Sequence, residues 1–355
     1  MRYEDLEITP VVSAQANTTP LGGCTLSDGV IEAMGEAAKW HVDTGELWDA
    51  AGARLARVTG TEDACPTTGA AAGVAISVAA VIAGTDVSRI QSLPGPVAGP
   101  TEILLQKGHS ISYSGAPIGQ MIALGGGRVR EVGAVNETLP AHIENAITER
   151  TAAIVFVTSH THAAQRRSVP LEEVVAIGHR HGLPVIVDAA NEEDLVRWSA
   201  LGADLVCYSG PKSLGAPTSG FICGSKQLTA ACRAQYTGIA RPMKVGKESL
   251  MGLLRAVDEY VAVTPEARGG GTAPADGGPG APPERPRRAD GTGHEGRVGP
   301  GDLPRAAHRR PTGGRAGRRR AGRRGAEGDT RRVPARLQDA PRSAGDRPQG
   351  PERGR

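Results

Sequence analysis

The chain predicts an α/β protein with a mostly parallel sheet flanked by helices, and three observations carry that prediction. Short β-rich runs, "EILLQ" (Glu102 to Gln106), "AAIVFVTS" (Ala152 to Ser159), "PVIVDAA" (Pro184 to Ala190) and "DLVCYS" (Asp204 to Ser209), alternate with helical stretches. The longest apolar run, "GVAISVAAVIAG" (Gly73 to Gly84), falls short of the roughly 20 residues that cross a bilayer and reads as a buried helix. The alternation stops abruptly after Val263.

The elements follow in order. "SDGVIEAMGEAAKW" (Ser27 to Trp40) opens on a Ser cap and carries helical spacing at Val30, Met34 and Ala37. "LWDAAGARLARVTG" (Leu47 to Gly60) is a second helix with Gly60 as its C-cap. "ACPTTGAAAGVAISVAAVIAG" reads as a strand end, a Thr-Thr-Gly turn and a long apolar helix. "PLEEVVAIGHRHG" (Pro170 to Gly182) and "EEDLVRWSALGA" (Glu192 to Ala203) are the helices between the later strands. This divides the chain into an N-terminal arm with helices (1–50), a large domain (51–263) and a tail (264–355).

Charge divides at the same place. Through Val263 there are 20 Lys+Arg against 27 Asp+Glu, a net of −7; from Thr264 there are 21 Arg, no Lys and 11 acids, a net of +10. The overall +3 is therefore no guide to partners. The tail lacks Ile, Phe, Tyr, Trp, Cys, Met and Asn as well, so it cannot bury enough apolar surface to offset its chain entropy and is expected to be disordered. Its "RRPTGGRAGRRRAGRR" (Arg309 to Arg324) has no aromatic residue for base stacking and implies at most weak, salt-sensitive, non-specific nucleic-acid binding. Five scattered cysteines without a CxxC pair, and no signal peptide, give neither a zinc pattern nor a disulfide framework. A cytoplasmic protein with no membrane segment is expected.

The chemistry centres on "YSGPKSLGAPTSG" (Tyr208 to Gly220), where Lys212 is hemmed in by Gly210, Pro211, Gly215 and Pro217. It lies just past a strand's C-terminal end, where open α/β sheets place their ligands. Asp188 ends the preceding strand, and one βαβ crossover brings both residues to the same sheet edge. An amine and an acid held this way match pyridoxal phosphate, which needs a lysine for its aldehyde and an acid for its pyridine nitrogen. "TTGAAAG" (Thr67 to Gly73) offers the hydroxyls of Thr67 and Thr68, a permissive turn at Gly69 and a helix N-terminus for the phosphate. Ser209 adds a hydroxyl, His109 is placed to lie against the ring, and Ser159 with His160 ends another strand as a cofactor or substrate contact. Read singly, Asp188 is also a helix cap, "TTGAAAG" close packing, His109 and His160 structural histidines, and Lys212 a turn lysine; their joint order favours one shared site.

"YSGPKSLGAPTSGFICG", "VIVDAA", "TTGAAAG" and "ARPMKVGKESLMGLLRAVDEY" resemble the pyridoxal-phosphate enzymes related to bacterial L-seryl-tRNA selenium transferase, and within them the D-glucosaminate-6-phosphate ammonia-lyase-like branch. The resemblance runs from about Thr9 to Val263. It implies the large domain of a fold-type I pyridoxal-phosphate transferase, with Lys212 as the Schiff-base lysine and Asp188 as the pyridine-nitrogen partner. It also implies substrate-binding roles for Arg241, Lys244 and Lys247, and a homo-oligomer in which the arm (Met1 to Leu21) reaches a neighbour.

Three departures shape the expectation. The catalytic pattern begins almost at Met1, without the tRNA-binding region of the selenium transferases, so acylated tRNA is not the expected substrate. "VDAANEED" replaces a more apolar, Pro-containing segment. The small C-terminal domain of the family is replaced by the Arg/Gly/Pro tail, as an off-frame translation would do. The expected function is a lyase acting on a small amino acid or amino-sugar acid by α-proton abstraction and elimination. The alternatives are an aminotransferase or racemase, or a truncated, inactive cofactor-binding protein.

Overall fold

The computed structural model describes residues 2–13, 17–113, 116–158 and 167–263. Ser159, His160 and the tail from Thr264 lie outside the described residues.

Helix α1 (Asp28–Ala38) begins where the Ser27 hydroxyl accepts from the Val30 amide, as the sequence predicts. Helix α2 (Thr44–Thr59) starts three residues earlier than its apolar spacing suggests, because Asp43 caps the amides of Gly45 and Glu46; it closes on Gly60 in the left-handed region. The division placed after residue 50 thus falls inside α2, and the described residues all belong to one unit.

After β1 (Asp63–Thr67) comes α3 (Ala70–Ala83), the apolar helix, with eleven buried residues. There follow α4 (Val87–Ser92), β2 (Glu102–Gln106), the short hairpin β3 (Ser112–Tyr113) and β4 (Ala116–Pro117), α5 (Ile118–Leu124), β5 (Arg128–Val132) and α6 (Pro140–Glu144). The chain continues through β6 (Thr151–Val157), α7 (Leu171–Arg180), β7 (Val185–Asp188), α8 (Arg197–Ala200), β8 (Leu205–Ser209), β9 (Gly220–Gly224), α9 (Lys226–Ala234) and α10 (Lys247–Ala262).

Seven strands form one sheet in the order β1-β9-β8-β7-β6-β2-β5, parallel throughout except for β9, which runs against both neighbours. Period-two alternation sorts the strand residues between two cores. Leu104, Ile154, Phe156, Val187, Val206 and Tyr208 pack with residues of α1, α2, α7 and α10 on one face. Leu105, Val155, Val157, Ile186, Leu205 and Cys207 pack with α3, α5 and α9 on the other. The central strands are buried on both faces and read as continuous apolar runs.

One predicted helix is much shorter than its sequence suggests. Only Arg197–Ala200 of the stretch 192–203 is helical. The carbonyls of Asn191, Glu193 and Asp194 accept instead from the hydroxyls of Ser213, Tyr260 and Tyr208, and the Asp194 side chain caps Val196 and Arg197. Distant hydroxyls thus take the acceptors a longer helix would have used.

Candidate active site

Asp188 closes β7 with Val157 of β6 on one side and Cys207 of β8 on the other, so its carboxylate stands at the centre of the sheet's C-terminal edge. Its backbone carbonyl accepts from the Thr158 hydroxyl at 3.0 Å and its Oδ1 from the Ala190 amide at 3.1 Å. One strand further, β8 ends at Ser209 and the chain turns through Lys212 before returning as β9. That turn is closed by the Gly210 amide on Ser219 O and the Ala216 amide on Gly210 O, with Gly215 in the left-handed region at φ 65°.

The third component is the start of α3. Gly69 caps it at φ 154°, and the Thr67 hydroxyl both donates to Gly69 O and accepts from Gly69 N. Across from it, a Cβ on Gly220 would lie 2.7 Å from Gly69 Cα, so the turn runs directly against β9. The helix therefore aims its unsatisfied first amides at the edge that carries Asp188 and Lys212.

Lys212, Asp188, Ser209, Thr68 and Gly69 line one cavity of about 480 Å³. Burial pushes the Asp188 carboxyl up to about 6, with the Lys212 ammonium and the Ala190 amide pulling the other way. Burial likewise lowers Lys212, opposed by the Asp188 charge. Without a ligand both groups are thus driven toward their neutral forms, and their mutual attraction does not make up the lost hydration.

Other residues marked in the sequence lie elsewhere. Thr67 is fully buried and its hydroxyl is committed to Gly69, so it does not line the cavity. His109 is fully buried, accepts at Nδ1 from the Val157 amide and stands edge-on to Phe156 at 4.7 Å, instead of presenting its face to the cavity. Arg241 and Lys244 are exposed and outside the cavity. Lys247 at the start of α10 donates to Ala37 O at 2.8 Å and pairs with Glu248, which ties α10 to the end of α1. Its cation serves helix packing in this chain.

The sequence reading missed other lining residues: Asn17, Thr19, Gly22 and Gly23 from the N-terminal segment, Ile118 and Met121 from α5, and Thr218 beyond Lys212. Thr218 could have been found by its place in the Lys212 turn. The others are brought in by tertiary packing alone. Among the described residues no group of three or more His, Cys, Asp or Glu is placed to hold a metal ion, and no helix is long and apolar enough to cross a membrane.

Comparison with known proteins agrees with this architecture. A 5'-C-glycyluridine monooxygenase-decarboxylase from a Streptomyces species is 70% identical over 268 residues, covering 76% of this chain and 67% of that protein. A D-glucosaminate-6-phosphate ammonia lyase from Salmonella typhimurium is 43% identical over 258 residues, covering 73% of this chain and 69% of that protein. The solved structure of a D-glucosaminate-6-phosphate ammonia-lyase superposes with a TM-score of 0.71 at 42% identity, over 73% of this chain and 70% of that one. The sequence pattern described as L-seryl-tRNA selenium transferase matches residues 19–268. The sheet order, the cavity at its C-terminal edge and these matches together show that the chain belongs to the L-seryl-tRNA selenium transferase family, with the fold of the type I pyridoxal-phosphate enzymes.

Proposed function

We propose that this chain binds pyridoxal phosphate through Lys212 and performs oxidative decarboxylation of an α-amino acid carried on a nucleoside. The observation that carries the cofactor assignment is the convergence of the Lys212 amine, the buried Asp188 carboxyl and the α3 N-terminus on one cavity. The residues fit the group. Asp188 Oδ2 accepts no hydrogen bond from the described residues, and a protonated ring nitrogen is the cationic partner that a buried carboxylate needs. Thr68, Ser209 and the first amides of α3 suit a phosphate.

When bound, pyridoxal phosphate supplies an electron sink for charge released at the substrate's α-carbon. Asp188 would hold that group's ring nitrogen in its protonated form. Lys212, whose charged form burial disfavours, is the amine placed to take a proton from the α-carbon. The overall conversion is R–CH(NH2)–COOH + O2 → R–CO–NH2 + CO2 + H2O. One dioxygen atom enters the amide and the other leaves as water, so the four electrons lost by the two carbons reduce dioxygen.

The choice of chemistry follows the 70% match to an enzyme named for a glycyluridine, and the cavity wall favours the same substrate class. Among the described lining residues Lys212 is the only Lys or Arg. A phosphorylated sugar acid would leave its phosphate without a cation there, whereas Ile118 and Met121 beside Asn17 and Thr19 suit an uncharged base and sugar. The exposed apolar side chains of the arm, Tyr3, Leu6, Ile8, Val11 and Val12, support a homo-oligomer in which the arm covers a neighbouring copy.

The full chain, loaded with pyridoxal phosphate, is incubated with a glycyl-nucleoside amino acid and separately with D-glucosaminate 6-phosphate. Dioxygen uptake matched by carbon dioxide release and a carboxamide product is the expected result. Ammonia release without dioxygen uptake would favour the elimination reading instead.

A further inference from the structure

The turn that carries Lys212 is held from outside the sheet by a segment nearly two hundred residues away in sequence. The Asn17 side-chain amide donates to the Lys212 carbonyl at 2.9 Å, across 195 residues. Gly23 lies so close to Pro211 that a Cβ there would stand 2.7 Å from Pro211 Cβ and 2.9 Å from its carbonyl oxygen. Cys24 Sγ donates to Ala216 O at 3.3 Å. The segment is itself folded back, with the Gly23 amide on Thr18 O at 2.9 Å. Contacts at Pro211, Lys212 and Ala216 therefore clip both limbs of the turn.

Within the turn, the Lys212 carbonyl also accepts from the Gly215 amide at 3.4 Å, a long bond. The bond from Asn17 is the shorter one, and it fixes the peptide plane from which the lysine side chain departs. A lysine has four rotatable side-chain bonds, so an unfixed backbone would spread its amine over many positions. Asn17, Thr19, Gly22 and Gly23 also line the cavity, so any ligand there rests on the segment that splints the lysine.

We propose that Asn17 is a positioning residue for Lys212, and that residues 17–24 form a clip whose seating sets the reactivity of that amine. This rests on the reading of Lys212 as the cofactor-holding lysine. The burial that lowers Lys212 depends in part on the same clip, because opening it admits water to the turn.

The test is reductive trapping in the full chain. Pyridoxal phosphate is added, borohydride reduces the bond formed with loss of water between aldehyde and amine, and the modified lysine is located by peptide mass over a range of pH. In wild type the label falls on Lys212. In Asn17→Ala, and in Asn17→Asp, which keeps the size and removes the donor, the trapping rate at neutral pH is expected to fall about threefold to tenfold, the worth of one hydrogen bond. The pH midpoint of trapping moves upward, and the Tm falls by no more than the few degrees that one exposed hydrogen bond is worth. Trapping on Lys212 with wild-type rate and midpoint in both variants overturns the positioning role alone, and so does a lowered Tm with an unmoved midpoint. No label on Lys212 in wild type overturns the functional reading, and this inference with it.

Discussion

Asp188 and Lys212 face one cavity from the ends of neighbouring strands, and each is shifted by burial toward its uncharged form while the other's charge resists. The pair is poorly satisfied by itself and well matched to a ligand that presents a cation to the acid and an aldehyde to the amine.

The first prediction concerns the acid. Asp188→Asn keeps the shape of the strand end but cannot hold a ring nitrogen protonated, so turnover is expected to fall about 100-fold or more while the fold persists. Steady-state rates beside circular dichroism check this. Turnover close to wild type would remove Asp188 from its proposed role.

The same burial gives a pH signature without cofactor. The Asp188 carboxyl is raised from its ordinary 3.8 to about 6 in the fold, so its contribution to stability is fully present below about pH 4 and is lost as pH rises through 6. The loss is about 3 kcal/mol. Urea unfolding of cofactor-free wild type and Asp188→Asn, compared from pH 4 to 7, should show the variant gaining on wild type as pH rises. A constant difference across that range would contradict the assignment. Lys212 and Glu192 are the charges that bear on this carboxyl.

The seat of the α3 N-terminus tests separately. In Gly220→Ala the new Cβ would lie 2.4 Å from Tyr208 O and 2.7 Å from Gly69 Cα, both backbone atoms that cannot swing away. A destabilisation of about 1–3 kcal/mol is expected, with weaker cofactor binding because the Gly69 turn must move. Gly35→Ala in α1 meets nothing within 4 Å and should be neutral or stabilising by up to about 1 kcal/mol. Equal effects of the two substitutions in thermal unfolding would refute the packing argument.

Much of this was legible in the sequence because buried parallel strands are short apolar runs, and the Lys212 turn and Asp188 follow such runs directly. What stayed hidden depended on contacts between distant segments. The Glu192–Ala203 stretch has helical spacing, yet Tyr208, Ser213 and Tyr260 take its carbonyls. Lys247 looks like a ligand clamp but is used by Ala37 and Glu248. Asn17 sits in an unremarkable polar run, and only the folded chain brings it to Lys212.

The chain beyond Val263 carries its own prediction. The family match ends at residue 268, and the Streptomyces relative is covered over 67% of its length. We propose that the tail, with one Ser and no Lys, is an off-frame translation in place of a small α/β domain, so that this chain still takes the cofactor on Lys212 but turns over more slowly than a frame-corrected one. Translating the other two frames downstream of Val263 should reveal an apolar, periodic α/β pattern in one of them. Its absence from both would establish the Arg-rich tail as native.

The central claim, that Lys212 holds pyridoxal phosphate, is tested most directly by the absorbance spectrum of the full chain mixed with the cofactor. A protein-bound band should form in wild type, vanish on borohydride reduction and be absent from Lys212→Ala. A wild-type chain that forms no such band, or a Lys212→Ala chain that forms it equally well, would contradict the account.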